Sequence, residues 1–231
     1  MKSIMQVKKL EMKTGSIFIS VVMMIFLFAC NKTDFNYPPG TVGSSKIIYF
    51  PAITLNGNDA MSTVMGSPFN DPGAKANVNG NDVPVTVSGT VNTSQVGLYI
   101  LTYTAANTEG YTASAQRVVV VIPEAEDPNA EDISGTYTAI GGAPGPADVS
   151  KLDKGLYYTT NCWGGGSSVV IPVYFICTDG KTLIIPEQAV GSVGRVVTDS
   201  PGTYSNGLID WVVSRLDFPG GALTREKQWQ K

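Results

Sequence analysis

The chain has 231 residues with 16 Lys plus Arg, 19 Asp plus Glu, a formal net charge of -3, and no histidine. The lack of histidine excludes Ser-His and Cys-His relays, His-ligated zinc and an imidazole base, so any catalysis would depend on carboxylates. The acidic balance argues against nucleic acid as a partner, and no cofactor or metal site is predicted. With 25 Gly and 14 Pro, and with Val and Thr spread along the chain, the composition predicts an all-β protein.

Residues 1–29 are predicted to form an export signal. A lysine-containing segment precedes the apolar run 17–29, which only Ser20 interrupts. As a helix this run would span roughly 20 Å, less than the hydrocarbon core of a bilayer. It is therefore predicted to be the apolar region of a signal peptide that begins at Met1 or at Met12.

The apolar run ends in Leu27, Phe28, Ala29 and Cys30. These residues resemble the bacterial lipobox, although Phe28 departs from the small or β-branched residue that is usual at its position. The resemblance implies cleavage before Cys30 and a diacylglycerol anchor on that cysteine; the alternative is an ordinary signal peptide. Without residues 1–29, the chain keeps 12 basic and 18 acidic side chains.

Residues 30–45 are polar and contain Pro38, Pro39 and Gly40, which predicts a flexible tether. Asn31 follows the cysteine and provides no acidic signal for retention in the inner membrane. The predicted location is therefore the outer membrane, lipid-anchored and at the cell surface.

Residues 46–122 are predicted to form a β-sandwich. Tyr99, Leu101 and Tyr103 alternate with Thr102 and Thr104, as in a strand with one buried face. Turn sequences separate the β-prone runs, which are 46–50, 75–78, 84–88, 97–105 and 117–122.

The segments 71–74, 97–105 and 117–121 resemble the immunoglobulin-like repeats of bacterial surface proteins. The resemblance implies an N-terminal immunoglobulin-like β-sandwich that acts as a spacer or presenting module. Asn107 stands where these repeats often have Asp, so a calcium site is not expected. Asp71, Asn79 and Asp82 are predicted to be solvated turn residues, the alternative being oxygen ligands for a cation.

Residues 123–132 are acidic and bounded by prolines, which predicts a linker between domains. Residues 133–231 are predicted to form a C-terminal small antiparallel β-barrel or sandwich. Its predicted strands are 135–140, 155–160, 169–177, 181–185, 195–198, 208–214 and 222–229.

Three short segments of this second module, 135–137, 155–158 and 223–225, are similar to small β-barrel domains of Bacteroidetes lipoproteins encoded beside glycan-uptake (Sus-like) systems. The resemblance implies a surface glycan-binding or accessory role, with extracellular polysaccharide and outer-membrane transporter components as partners. A second hypothesis is a structural or adhesive lipoprotein that docks on a protein.

Sugar sites combine aromatic faces with polar side chains. Trp163 precedes a glycine-rich stretch that is predicted to be a loop. It is a candidate sugar platform, although a position in the core, with the glycines serving only the turn, is favoured. Trp211 is in phase with Ile209 and Val213, which also favours the core. Tyr157 and Tyr158 face opposite sides of a strand. Cys162 and Cys177 are predicted to form a disulfide or to remain buried free thiols. The candidate glycan-binding residues are Trp163, Asn161, Tyr157, Tyr158 and Trp211.

The protein is not expected to be an enzyme. A glycosidase needs two carboxylates about 5 to 10 Å apart across the scissile bond, and no spacing in the sequence singles out a pair. A carboxylate-dependent glycoside hydrolase remains the minor alternative, with candidates Asp148, Asp153, Asp179, Glu187, Asp199, Asp210 and Asp217.

Overall fold

The structure is a computed structural model that describes residues 37–42, 45–142, 145–164 and 168–231. By its internal contacts the chain divides into two compact units, residues 1–48 and 49–231. The predicted signal peptide and Cys30 lie outside the described residues, as does part of the tether. In the first unit, β1 (Thr41–Val42) and β2 (Ser45–Lys46) pair antiparallel. Within the described ranges, no helical segment has the length and hydrophobicity that crossing a membrane requires.

Residues 49–122, the first module, form the predicted β-sandwich. The alternation in its longest predicted strand is confirmed, because Leu101 and Tyr103 are buried whereas Thr102 and Thr104 are partly exposed. One sheet contains β3 (Ala52–Leu55), β5 (Ala74–Val78) and β6 (Asn81–Val83). The other has the order β4 (Ala60–Val64), β9 (Thr112–Ile122), β8 (Gly97–Ala106) and β7 (Thr86–Ser88), with β4 parallel to β9.

The strand predicted at 46–50 is wrong beyond Lys46, since the chain enters the sandwich only at β3, after Pro51. Strands β3, β4 and β6 were not predicted. They are short, and Asn and Asp flank or occupy them, so their sequences look like turns. They are strands here because each is paired with a longer neighbour.

Residues 133–231, the barrel module, form one antiparallel sheet that closes on itself. The strands are β10 (Gly135–Ala139), β11 (Ala147–Asp153), β12 (Leu156–Thr159), β13 (Val173–Ile176), β14 (Thr182–Leu183), β15 (Gln188–Val190), β16 (Gly194–Thr198), β17 (Gly202–Ser205), β18 (Leu208–Arg215) and β19 (Leu223–Gln230), with a 3-10 turn at Gly191–Val193. The main path runs β13-β12-β11-β10-β19-β18, and β18 also pairs with β16 and β17.

The seam of the barrel lies between β13 and β14. Ile176 and Ile184 exchange two backbone hydrogen bonds, of 2.8 and 3.0 Å, and β14 continues the sheet by pairing with β17. The interior holds large side chains, including Phe175, Trp211 and Trp229. The barrel is thus filled by side chains, as is usual for a barrel of this size.

The outer face of β12 and β13 packs against the first module. Tyr157 and Phe175 point into the barrel core, whereas Leu156 and Ile176 belong to a second buried cluster with Val120 of β9. The linker is also held in place, since Lys151 Nζ lies 2.7 Å from Glu126 Oε1 and the Asp127 N–H donates to the Thr178 carbonyl at 2.8 Å. The two modules therefore form one continuous packed unit.

Candidate functional site

Trp163 lies inside the barrel module and is only 4% exposed. Asn161 is equally buried, and its Oδ1 accepts the N–H groups of Trp163 and Ile171, both at 3.0 Å. Trp163 therefore occupies the core position and is not an exposed platform, so its candidate role in glycan binding is wrong, and Asn161 is a loop-closing amide. The glycine-rich sequence gave the wrong impression of exposure because the indole folds back under Lys227 and Arg215, which are distant in sequence.

Tyr157 and Trp211 also lie in the core. Tyr157 stacks on Phe175 with ring centroids 5.5 Å apart, and Phe175 meets Trp211 edge-on at 5.4 Å. The Trp211 Nε1–H donates to the Cys162 carbonyl at 3.2 Å. These rings stabilise the barrel, and neither Tyr157 nor Trp211 offers a face to a ligand. The phase of Trp211 with Ile209 and Val213 indicated the core, and the structure agrees.

Cys162 and Cys177 are free thiols, both buried, so the second of the two predicted states is the one found. Burial raises the pKa of the Cys162 thiol far above its ordinary value and raises the pKa of Cys177 to about 12. Since the thiolate is the nucleophile, both side chains are inert at neutral pH.

Among the five candidate residues, Tyr158 is partly exposed and the other four are buried. Tyr158 lies on β12 directly opposite Tyr174 of β13, and both side chains are partly exposed. Their ring centroids are 5.2 Å apart with planes inclined at 57°. Burial raises the pKa of Tyr174, and the charge of Asp59 in the first module raises it further. An aromatic pair on the barrel therefore lies beside an acidic group of the first module.

Polar side chains continue this outer face away from the first module. Ser150 is opposite Tyr158 on β11 and is exposed. In the next row, Asp148 Oδ1 accepts the Thr136 hydroxyl at 2.7 Å and the Asp148 N–H donates to Thr160 Oγ1 at 2.9 Å. Aromatic rings flanked by hydroxyls and a carboxylate provide an apolar face and polar edges on one surface. We call this surface the tyrosine face; it consists of Tyr158, Tyr174, Ser150, Asp148 and Thr160.

The carboxylates considered for hydrolysis are engaged in structural contacts. A cleft of about 690 Å³ between the modules contains the candidate Asp153 and also Glu126 of the linker, which was not a candidate. Glu126 is paired with Lys151, and Asp153 accepts the N–H groups of Ser62 and Lys154, both at 2.8 Å.

The other candidate acids are bonded in the same structural way. Asp148 and Asp199 accept threonine or serine hydroxyls, Asp179 accepts backbone N–H groups of its own turn, Asp210 accepts the Gln228 amide, and Glu187 and Asp217 share the exposed Arg195. Among the described residues, no group of three or more Asp, Glu or Cys side chains is arranged to hold a metal ion.

The first module contains a buried ionic cluster that was not predicted from the sequence. Arg117 is fully buried, pairs with Asp71, and donates to the Tyr103 hydroxyl at 2.7 Å and to the Asn58 carbonyl at 3.0 Å. Asp71 is an exposed turn residue, as predicted, but its Oδ1 also accepts the Tyr103 hydroxyl at 2.6 Å, and this contact was not predicted. The available clue was a charged residue on the buried face of a strand next to an Asp-Pro-Gly turn.

Asn107 has a similar structural role at the loop between β8 and β9. Its Oδ1 accepts the N–H groups of Glu109 and Tyr111 at 3.1 and 2.8 Å. Its Nδ2 donates to the Tyr49 carbonyl at 2.9 Å. The amide thus closes the loop.

Comparison with known proteins confirms the immunoglobulin-like prediction. Residues 53–121, which lie in the first module, match the family model described as "Bacterial surface protein, Ig-like domain". No curated protein matches the chain.

Solved structures with similarity to the chain include the lipoprotein BT2262 from Bacteroides thetaiotaomicron. It is 22% identical, with 79% of this chain and 100% of that chain covered and a TM-score of 0.41. Another is the M60 catalytic domain with two CBM51 domains of Clostridium perfringens ZmpB, 11% identical over 80% of this chain and 21% of that chain, with a TM-score of 0.33. A third contains CBM51-2 of the same protein in complex with GlcNAc. It is 12% identical, with 78% of this chain and 43% of that chain covered and a TM-score of 0.29.

Proposed function

We propose that the chain is a lipid-anchored protein of the bacterial cell surface that binds a glycan on the tyrosine face of its barrel module. The Ig-like domain of the bacterial surface family over residues 53–121 supports the surface location. The Leu27 to Cys30 sequence supports a lipid anchor, and with Asn31 after the cysteine the outer membrane is the favoured destination.

The observation that carries the proposed binding is the accessible pair of Tyr158 and Tyr174. A sugar ring has an apolar C–H face and a hydroxylated edge, so it binds best where an aromatic face lies beside hydrogen-bonding groups. The hydroxyls of Ser150 and Thr160 and the Asp148 carboxylate lie in the same and the adjacent row of the sheet.

The first module has a more direct role in this proposal than that of a distant spacer. The first module covers the apolar end of the same outer face, where Leu156 and Ile176 of the barrel pack against it. It also brings Asp59 close to Tyr174. The module thus borders the tyrosine face and holds the barrel in a fixed orientation, which limits the entropy lost when a long ligand is bound.

Affinity electrophoresis tests this function. The chain from residue 31 onward, which contains the whole unit 49–231, is run through gels that contain host or plant polysaccharides. Tyr158→Ala should lose the retardation by the recognised glycan while it still unfolds at the temperature of the parent. The matched control is Tyr111→Ala, which removes a 44% exposed tyrosine from the first module and should leave the retardation unchanged.

No retardation by any polysaccharide, or an equal loss in both variants, would contradict glycan binding at the tyrosine face. The first of these outcomes would favour the alternative of docking on a protein partner.

A further inference from the structure

Three cationic side chains point inward at one end of the barrel. Lys227 is directly opposite Trp211, Arg225 is opposite Val213, and Arg215 is opposite Leu223 in the β18 to β19 ladder. Directly opposed residues of an antiparallel pair share a face of the sheet. Since Trp211 and Val213 belong to the barrel core and Leu223 packs against it, the three cations lie on the inner face.

Two of the three cations, Lys227 and Arg215, lie over the ring of Trp163. Lys227 Nζ lies 4.7 Å and the Arg215 guanidinium carbon 5.7 Å from the centroid of this indole. Arg215 also lies 4.9 Å from the centroid of Phe218. Burial lowers the pKa of Lys227, and the charge of Arg225 lowers it further, as expected where cations are close together. The order from outside to inside is exposed Arg225, partly exposed Arg215 and buried Lys227.

Within the described part of the chain, no carboxylate neutralises this cluster. Arg225 donates to the Thr224 carbonyl at 2.9 Å and Lys227 to the Gly164 carbonyl at 3.1 Å. The side chain of Arg215 has no hydrogen bond or ion pair with any of the described residues, and its Nε is buried without an acceptor. By contrast, Arg117 and Arg195 are both paired with carboxylates.

Cations without a counter-charge and hydrogen-bond donors without an acceptor lower the stability of the fold when they are partly removed from water. The chain contains more acidic than basic residues, so acids to neutralise the cluster are not scarce. The buried Trp229 Nε1 is a further donor without a partner, and its ring faces Gly164, the residue whose carbonyl accepts from Lys227. The cluster therefore has the donors and the charge of a site for an anion.

We propose that this end of the barrel binds a carboxylate group, held by Arg225 and Arg215 from the open side and by Lys227 from beneath. A planar guanidinium matches a carboxylate with two parallel hydrogen bonds. The uronic acid unit of a glycan and the C-terminus of a peptide both carry this group. The proposal does not depend on the tyrosine face, because the residues and the ligand group are different.

Isothermal titration calorimetry on the chain from residue 31 tests the site with three probes: glucuronate, N-acetylglycine and uncharged methyl glucoside. At low salt we expect a Kd on the order of 1 mM for at least one carboxylate. Methyl glucoside should not bind, and added NaCl should weaken the carboxylate binding. Preference for glucuronate would identify a sugar acid as the source of the group, and preference for N-acetylglycine would identify a peptide end.

Arg225→Gln and Arg215→Gln should each weaken the binding by about 10-fold or more, since each removes a charged hydrogen-bond donor. Arg195→Gln is the matched control, because this arginine belongs to the exposed cluster with Glu187 and Asp217, and it should leave the Kd unchanged. The proposal is overturned if neither carboxylate binds at up to about 50 mM, or if Arg195→Gln weakens binding as much as the other two variants. Unfolding temperatures of all variants establish that each protein is folded.

Discussion

The side chain of Gln188 bonds to both backbone groups of Tyr174, accepting its N–H at 2.9 Å and donating to its carbonyl at 2.7 Å. The amide thereby substitutes for a neighbouring strand at the seam of the barrel, where Ile176 and Ile184 form the one bridge between β13 and β14 in the described residues. A single side chain thus holds the edge of the strand that carries Tyr174 of the tyrosine face.

We predict that Gln188→Leu lowers the free energy of unfolding by roughly 2 to 3 kcal/mol, because it leaves a partly buried N–H and C=O without partners. Urea denaturation followed by circular dichroism measures the change. Gln230→Leu is the control: this exposed side chain has one long bond, of 3.3 Å, to the Asn206 carbonyl, and its loss should change stability little. Equal stability of Gln188→Leu and the parent would refute the role given to this amide.

The Arg117 cluster leads to a second prediction. Asp71→Asn leaves the buried guanidinium without its counter-charge and should cost about 3 to 5 kcal/mol, as breaking a buried ion pair from one side usually does. The control is Asp82→Asn, a change of the same kind at an exposed position of β6. Chemical denaturation of the two variants compares them, and a loss for Asp71→Asn no larger than that for Asp82→Asn would contradict the cluster's importance.

The same carboxyl predicts a dependence of stability on pH. Burial raises the Asp71 pKa, but the hydrogen bonds from Tyr103 and Gly73 and the charge of Arg117 outweigh it, so the pKa lies below its ordinary value of 3.8. A group whose pKa is lowered by folding stabilises the protein above the unfolded pKa and loses that contribution as the pH falls through the folded pKa. The difference in unfolding free energy between the parent and Asp71→Asn should therefore shrink below pH 3.8. A constant difference from neutral pH to the acid limit would contradict this.

The contact between the modules predicts joint unfolding. Leu156 is fully buried between them, so Leu156→Ala should cost about 2 to 5 kcal/mol through the cavity that it leaves. Calorimetry of the parent should show one transition for the first module and the barrel together. Two separate transitions in the parent, or a change in only one of them in the variant, would show that the modules are energetically independent.

The thiols offer a chemical prediction. Because Cys162 and Cys177 are buried and burial raises the pKa of each, the native chain from residue 31 should not react with Ellman's reagent at pH 8. After denaturation two thiols should react without prior reduction. A slow release of one thiol from the native protein would contradict the burial of both.

Local patterns predicted the fold well where a strand shows regular alternation. Residues 97–105 were predicted and β8 occupies Gly97–Ala106, while the predicted strand 208–214 corresponds to β18, Leu208–Arg215. In both, buried residues recur at every second position, which is the period of a pleated strand. Strands β11 and β17 were missed because Ser, Lys, Asp and Gly in them weaken this pattern, and β15 was missed because it has only three residues, Gln188–Val190. Their pairing partners supply the order instead.

The candidate site could be predicted only in part. The opposite facing of Tyr157 and Tyr158 follows from strand geometry, but the sequence does not say which of the two faces the core. Tyr174 was not singled out, because its position beside Tyr158 depends on the register of β12 and β13. The choice between a platform and a core position for Trp163 stayed open for the same reason, since Trp163 is covered by side chains about 50 and more residues away. Long-range register is not encoded in local composition.

The most direct test of the proposed glycan binding is an NMR titration of ¹⁵N-labelled protein with oligosaccharides of the polysaccharide that retards it in gels. We expect the largest backbone shifts at Ser150, Tyr158 and Tyr174, and we expect Tyr158→Ala to abolish them. Largest shifts in the first module, away from Asp59, would contradict a glycan site on the tyrosine face.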